Sequence, residues 1–213
     1  MCADQLNLGQ HIKELEKYSI DGLHIDIMDH HFAPNLALSI DTFNQIKSIT
    51  DLPMEVHLMV QKPCTIIPAL NYCQNDRIIL HIESDYENIS DYIKNNNANW
   101  GFAISPGSSF NLISNNMLEI IDYILILTVN PGFAGQQMIG SIYEKLKTFI
   151  GKRGKDFSLE YIIDGHVDKQ LIEKYASIGV NNFVGGTTGL YTSGTNTDYK
   201  NNIMRLKNVK LSI

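Results

Sequence analysis

The chain has 213 residues, enough for one domain with a large core, and its 44% hydrophobic and 19% charged residues are ordinary for a globular protein. A formal net charge of -6 without any basic stretch argues against nucleic acid as a partner. The sequence has neither an apolar run of membrane-spanning length nor a signal-peptide pattern, and Cys2, Cys64 and Cys73 lack metal-ligand spacing, so we expect no membrane partner and a cytoplasmic location with reduced thiols.

Short apolar segments alternate with segments of helical periodicity along the whole chain. Strands are predicted over residues 22–28, 54–59, 77–82, 100–104, 123–128, 159–163 and 182–184. Helices are predicted over residues 8–18, 40–49, 66–73, 89–95, 112–120, 139–150, 169–177 and 199–206, with Asp4 or Asn7, Ser39, Asp168 and Asp198 as N-caps. This alternation predicts a parallel sheet and, at this length, a single α/β domain over residues 1–213 that folds as a (β/α)8 TIM barrel.

The prediction contains eight helices but only seven strands. Residues 1–4 lead directly into the first helix, so the strand that should precede it is absent or reduced to a stub. We therefore expect an open barrel, with the gap between the strands that end near Met28 and near Val184.

Polar side chains occur at the ends of three predicted strands. In a strand, alternate residues share a face, so His24, Asp26 and Met28 point one way, and His57 points the same way as Met59. Asp164 ends a third apolar strand. Two imidazoles and two carboxylates, from His24, Asp26, His57 and Asp164, form a ligand set that suits a divalent transition metal.

Two glycine-rich segments follow later strands. Residues 130–136, with Gly132, Phe133, Ala134 and Gly135 at their centre, are typical of either a mobile lid or an ordinary turn. Residues 185–189 follow the last predicted strand, where barrels often bind phosphate through backbone N–H groups.

Seven motifs follow one another along the chain: MCAD (1–4), HIDIMD (24–29), FAPN (32–35), EVHLMV (55–60), TVNPGFAGQ (128–136), DG (164–165) and GTT (186–188). Taken together and in this order, they resemble the motifs of the ribulose-phosphate 3-epimerases, including allulose-6-phosphate 3-epimerases. The resemblance implies a phosphate-binding barrel of the ribulose-phosphate-binding type with one catalytic divalent metal ion.

Site residues follow from this resemblance by position. His24, Asp26, His57 and Asp164 match the metal ligands, and Asp26 and Asp164 also match the paired catalytic acid and base. The remaining positions match substrate or phosphate contacts: Met28, His57, Met59, Gly132, Phe133, Ala134, Gly135, Gly165, His166, Gly186, Thr187 and Thr188.

The chain departs from the family pattern at four places. A strand carrying an active-site serine is missing before Cys2, and Leu127 takes the place of a methionine. His30 and His166 stand where the family has glycines. If the backbone there needs a positive φ, each histidine is strained, although a protonated imidazole would offset a bound anion.

The resemblance implies an enzyme, a metal-dependent 3-epimerase of a phosphorylated ketose, with D-ribulose 5-phosphate and D-xylulose 5-phosphate as the first choice of substrate and product. The alternatives are epimerisation of D-allulose 6-phosphate, a related barrel lyase or decarboxylase, and a degenerate sugar-phosphate-binding barrel without turnover. Zinc, iron, manganese and cobalt all suit the N₂O₂ ligand set. A homo-oligomer is also expected.

Overall fold

The computed structural model describes residues 1–85, 89–96, 98–153, 158–192 and 197–208. In these residues seven parallel strands form one curled sheet whose order follows the sequence, which confirms the predicted TIM-barrel type of fold. The strands are β1 (Leu23–Met28), β2 (Met54–Met59), β3 (Arg77–His81), β4 (Asn99–Ile104), β5 (Tyr123–Leu127), β6 (Glu160–Asp164) and β7 (Asn182–Phe183). The α-helices are α1 (Leu8–Leu15), α2 (Ile40–Lys47), α3 (Ile89–Lys94), α4 (Asn115–Leu118), α5 (Ile142–Arg153), α6 (Lys169–Ala176) and α7 (Tyr199–Lys207).

The strands are rich in isoleucine, leucine and methionine because a parallel sheet covered by helices is buried on both faces. Every residue of β2 is buried. The parallel register places Asp26 of β1 beside His57 of β2, and Leu127 of β5 beside Asp164 of β6. The carboxyl ends of all the strands therefore meet at one rim.

Two apolar layers hold the sheet. The larger layer lies between the strands and the helices and includes the fully buried Phe43 and Tyr175. The smaller layer consists of Ile79, Ala103, Leu125, Leu127 and Ile162, which lie on the inward face of the strands. Gly101 lets β4 approach β5, because a Cβ atom at this position would lie 2.9 Å from the carbonyl oxygen of Tyr123.

Three of the predicted N-caps are confirmed. The side chains of Ser39, Asp168 and Asp198 each accept a hydrogen bond from the backbone N–H three residues later. Asp4 instead caps the 3-10 turn Gln5–Asn7, and the Asn7 side chain makes no capping bond to α1.

Two helix predictions are wrong. Residues 66–73 form no α-helix: the segment contains the 3-10 turn Ile67–Ala69, which follows the turn Pro63–Thr65. The backbone is extended at Leu70, with ψ 132°, so the turn ends there and does not continue as a helix. Residues 112–120 contain only the one-turn helix α4, which begins after Ser114, whose side chain accepts a hydrogen bond from the Met117 N–H.

The sheet is open between β1 and β7, as predicted, and these strands do not pair within the described ranges. Residues 1–4 form no strand. Met1 packs beside Met28, Ala33 and Met59, near the ends of β1 and β2. The Cys2 thiol forms a hydrogen bond with the backbone of Thr187, beyond β7. The amino-terminal residues thus connect the two edges through side-chain contacts.

Among the residues that the structure describes, no helix is both long enough and apolar enough to cross a membrane.

Candidate active site

The four predicted metal ligands converge at the carboxyl-terminal rim. One ligand atom from each of His24, Asp26, His57 and Asp164 lies within 4.8 Å of all the others. The Asp26 carboxylate is 3.3 Å from Nε2 of His24 and 3.3 Å from Nδ1 of His57. The Asp164 carboxylate is 3.6 Å and 3.7 Å from the same two nitrogens.

These distances fit a shared metal ion. Two ligands that each lie about 2.0–2.1 Å from a tetrahedral zinc are separated by roughly 3.4 Å, close to the nitrogen–oxygen distances of this cluster. All four side chains are largely or fully buried, and a divalent cation would offset the two adjacent carboxylates. The chemistry of the donor set therefore fits a divalent metal, as the sequence predicted.

Glu55 holds the outer nitrogen of His24. Its carboxylate lies 2.6 Å from Nδ1 of His24, so Nδ1–H donates to Glu55 and Nε2 faces the cluster. Arg77 lies 3.3 Å from the other carboxylate oxygen and stacks over the Tyr123 ring at 4.2 Å. Side chains on the inward face of β2, β3 and β5 therefore hold His24 in place: Glu55 contacts it directly, and Arg77 and Tyr123 support Glu55.

His81 and Glu83 hold the outer nitrogen of His57. Nε2 of His57 lies 2.9 Å from Nε2 of His81, and Nδ1 of His81 lies 2.9 Å from the Glu83 carboxylate. The backbone N–H of Ser105 donates to the other oxygen of Glu83 at 2.9 Å. Both imidazoles are fully buried, which makes this chain of hydrogen bonds a fixed part of the site.

The environment separates the proton affinities of the two carboxyl groups. Burial alone would raise the pKa of Asp26, but His24 and His57 outweigh burial and hold the pKa well below its usual value. Burial and the charge of Asp26 raise the pKa of Asp164 despite the neighbouring imidazoles. Asp26 is therefore the stronger acid of this coupled pair.

The supporting groups are also shifted. Burial would lower the pKa of His24, but Asp26 and Glu55 raise it well above its usual value. Burial lowers the pKa of His81 to about 4. The pKa of Glu83 falls to about 2 because hydrogen bonds, chiefly from His81, outweigh its burial.

The two predicted thioethers lie together beside the ligands. Met28 and Met59 are buried and pack with Ala33, on the same strand faces as Asp26 and His57. Phe32 extends this apolar wall, and its ring centroid is 4.5 Å from that of His81. One side of the site is therefore dry and polarizable.

The predicted lid, residues 130–136, is held by hydrogen bonds at several points. The Gln136 side chain closes it by donating to the carbonyl oxygens of Asn130 and Phe133. The Asn35 side chain donates to the carbonyl oxygen of Gly132 at 2.7 Å. Nδ1 of His166 lies 3.1 Å from the carbonyl oxygen of Gln136. Among the other lid residues, Gly135 has φ +81° and Phe133 is half exposed, and Ala134 lies between them.

The loops after β6 and β7 meet each other. The Thr188 hydroxyl donates to the Val167 carbonyl oxygen at 3.1 Å, and the Gly186 carbonyl oxygen accepts from the N–H of Leu190 at 2.8 Å. Gly165 has φ +101°, and a Cβ there would lie 2.8 Å from the Val129 side chain. Thr187 lies next to Cys2, whose thiol forms a hydrogen bond with the Thr187 backbone.

His30 and His166 both have the left-handed backbone that glycine adopts without strain. Their φ angles are +62° and +50°. His30 is exposed, whereas the His166 ring is turned toward the lid. The positive φ on which the expectation of strain depends is therefore present at both positions.

Sequence reasoning missed Glu55, Arg77, His81 and Glu83. Their signal was the same alternation that identified the ligands: His81 ends the apolar strand β3 and shares a face with Arg77, and Glu55 shares its face with His57. A rule that pairs each candidate ligand with polar neighbours on the adjacent strand would have found them.

Comparisons with known proteins identify the family of this chain. The Ribulose-phosphate 3 epimerase family model matches residues 1–190. The chain is 33% identical to the ribulose-phosphate 3-epimerase of Bacillus subtilis over 88% of either chain. It is 30% identical to the ribulose-phosphate 3-epimerase of Aquifex aeolicus over 100% of this chain and 95% of that protein. It is also 30% identical to the chloroplastic ribulose-5-phosphate-3-epimerase of Arabidopsis thaliana over 88% of this chain and 68% of that protein.

A solved structure shares the fold alone. Thiamine phosphate pyrophosphorylase from Pyrococcus furiosus superimposes with a TM-score of 0.62 over 94% of this chain and 88% of the other, at 13% identity. Together with the family match over residues 1–190, the convergence of the four ligand side chains leads to one assignment. The chain belongs to the ribulose-phosphate 3-epimerase family.

Proposed function

We propose that this protein epimerises D-ribulose 5-phosphate to D-xylulose 5-phosphate at the carbon next to the ketone, with one divalent metal ion. The observation that carries this proposal is the convergence of His24, Asp26, His57 and Asp164 from three different strands. A divalent ion bound there would stabilise the negative charge that develops on the substrate oxygens during proton removal.

The two carboxyl groups suit an epimerisation. The reaction removes a proton from one face of a carbon and returns one to the other face through a planar enediolate. Asp26 comes from β1 and Asp164 from β6, and the two imidazoles lie within 3.7 Å of both carboxylates. In our proposal Asp26 and Asp164 act on opposite faces of that carbon and exchange the roles of acid and base with direction.

The remaining residues hold the substrate. Met28 and Met59 would exclude water from the enediolate, and the lid residues 132–135 would cover it. The phosphate would lie against the loops after β6 and β7, near Gly165, His166, Gly186, Thr187 and Thr188. Backbone N–H groups of such loops are the usual phosphate donors in this type of barrel.

The test is proton exchange in deuterated water with the protein loaded separately with zinc, iron(II), manganese(II) or cobalt(II). We expect deuterium at carbon 3 of D-ribulose 5-phosphate, measured by NMR, together with D-xylulose 5-phosphate. Asp164→Asn should abolish epimerisation, and activity within a few-fold of the parent would contradict the two-carboxylate scheme.

D-allulose 6-phosphate, tested in parallel, decides between a pentulose and a hexulose substrate. Bound metal with no exchange in either sugar would instead indicate a degenerate barrel.

A further inference from the structure

We propose that His81 and Glu83 are positioning residues that fix the tautomer of His57, so that its Nδ1 lone pair faces the metal-binding cluster. This inference rests on the proposed function, because it concerns how one ligand of the proposed metal is oriented. Neither residue offers an atom to the ligand cluster found among the described residues.

The contact between the two imidazoles is an N–H···N hydrogen bond. The two Nε2 atoms lie 2.9 Å apart, and both side chains are fully buried. The ring centroids are 5.0 Å apart and the ring planes differ by 26°. Because 5.0 Å is close to the nitrogen–nitrogen distance plus two ring radii, the rings meet edge to edge, as an in-plane hydrogen bond requires. A single proton must lie between the two nitrogens.

Glu83 determines which nitrogen carries that proton. Its ionised carboxylate only accepts hydrogen bonds, so Nδ1 of His81, at 2.9 Å, must donate to it. The Ser105 N–H holds the other carboxylate oxygen and keeps Glu83 in place. With its proton on Nδ1, a neutral His81 has a bare Nε2, which accepts the proton of His57 Nε2–H.

The consequence for His57 is specific. Its Nδ1 is then bare and faces Asp26 at 3.3 Å and Asp164 at 3.7 Å. The opposite tautomer would direct an N–H into the position that a bound cation would occupy. His24 reaches the same result in one step, because Glu55 accepts its Nδ1–H directly. Each ligand imidazole is therefore oriented by a carboxylate, and His81 relays this effect to His57.

A matched pair of variants tests the relay. In His81→Gln the amide oxygen can take the place of Nε2 and accept from His57, whereas His81→Leu has similar volume and no acceptor. We expect His81→Leu to weaken zinc and cobalt(II) binding about 10–100-fold, and His81→Gln to recover most of that loss. Metal affinity is measured by competition with a chelator, and urea unfolding checks that both variants fold.

A second measurement does not depend on activity. In the zinc-loaded protein with ¹⁵N-labelled histidine, the ring ¹⁵N–¹H correlations report which nitrogen of each imidazole carries a proton. We expect His57 to carry its proton on Nε2 in the wild type and in His81→Gln. In His81→Leu the Nε2–H of His57 loses its acceptor, so its proton resonance should move upfield.

Either of two results overturns the relay: an Nδ1–H tautomer of His57 in the wild type, or equal metal affinities of His81→Leu and the wild type. A wild-type protein that binds no divalent ion overturns the proposed function and the metal role of the relay together. A wild-type protein that binds metal and epimerises, with His57 unaffected in His81→Leu, contradicts the relay alone.

Discussion

His57 is the most constrained of the candidate ligands. It is fully buried, and both of its ring nitrogens have polar neighbours, with Asp26 on one side and His81 on the other. An imidazole in this position has no freedom to turn away from the cluster, so its contribution to metal binding is open to direct test.

We expect His57→Ala to weaken binding of a divalent metal by more than the 10–100-fold that is typical of an outer-shell change, because a ligand itself is removed. The measurement is equilibrium dialysis followed by elemental analysis, with circular dichroism as the check on folding. His31→Ala is the control, since His31 is exposed and its backbone N–H bond to Asp29 survives the change. Unchanged metal content in His57→Ala would refute the ligand assignment.

His166 combines backbone strain with a contact to the lid. Its φ of +50° is in the left-handed region, and its Nδ1 lies 3.1 Å from the Gln136 carbonyl oxygen. The effect of the His166 ring and the effect of its backbone strain on stability can be separated by two substitutions. Glycine and alanine both remove the imidazole, but only glycine removes the strain.

We expect His166→Gly to be more stable than His166→Ala by roughly 0.5–1 kcal/mol in the free energy of unfolding, since relief of the left-handed strain exceeds the extra freedom of glycine in the unfolded chain. Urea denaturation measures the difference. The same pair of changes at His31, which has no positive φ, should give the reverse order. Equal stability of the two His166 variants, or a more stable His166→Ala, would show that the backbone at this position is not strained.

Among the elements, α2, β2 and β3 are joined by one buried carboxylate. Asp76 accepts from the Lys47 ammonium at 2.7 Å, from the Met54 N–H at 2.9 Å and from the Cys73 N–H at 2.8 Å. Burial alone would raise the pKa of Asp76, but Lys47 and the backbone donors lower it below its usual value. The ionised carboxylate is therefore favoured by the fold.

This shift predicts a pH dependence of stability. A carboxyl group with a lowered pKa stabilises the fold above its ordinary pKa of about 4, and this stabilisation is lost as the pH falls through the lowered pKa. We expect Asp76→Asn to cost about 1.5–3 kcal/mol at pH 7, and the difference from the wild type to shrink below about pH 4. Urea denaturation from pH 7 to pH 3 measures it.

Asp51→Asn serves as the control for this effect, because Asp51 is an exposed carboxylate that lies in the turn before β2. Its free energy of unfolding should differ little from that of the wild type at every pH. A constant difference for Asp76→Asn across the whole range would exclude the proposed linkage.

At the scale of the elements, local chemistry predicted most of what was found. All seven strands occur within one or two residues of their predicted bounds, because alternation and apolar runs are local signals. The error at residues 66–73 arose because a short apolar segment does not by itself require a helix, and the backbone there becomes extended at Leu70.

At the scale of the whole molecule, the open sheet should show in amide hydrogen exchange. Between the two edges, β4 pairs with both β3 and β5, whereas β7 is paired only over Asn182 and Phe183. On the free side of β1, the structure shows one bridge, in which the Leu38 N–H donates to the Asp26 carbonyl oxygen at 3.1 Å.

We expect the amides of β7, and those of β1 that face away from β2, to exchange faster than the amides of β4, since edge amides open without disrupting a neighbouring strand. Mass spectrometry of peptic fragments or NMR measures this. Protection of β7 equal to that of β4 would indicate that another strand covers the edge. The expected homo-oligomer remains a prediction that this experiment addresses only if its interface covers these edges.

The sequence by itself determined the strands, most of the helix caps and the identity of the four candidate ligands, because alternation along a strand decides which side chains share a face. Only the tertiary structure decided how Asn35 reaches the Gly132 carbonyl oxygen from 97 positions away, and how His81 meets His57. Those contacts depend on the curvature of the sheet and on the register between neighbouring strands. Curvature and register arise from the packing of the whole core, which no local pattern contains.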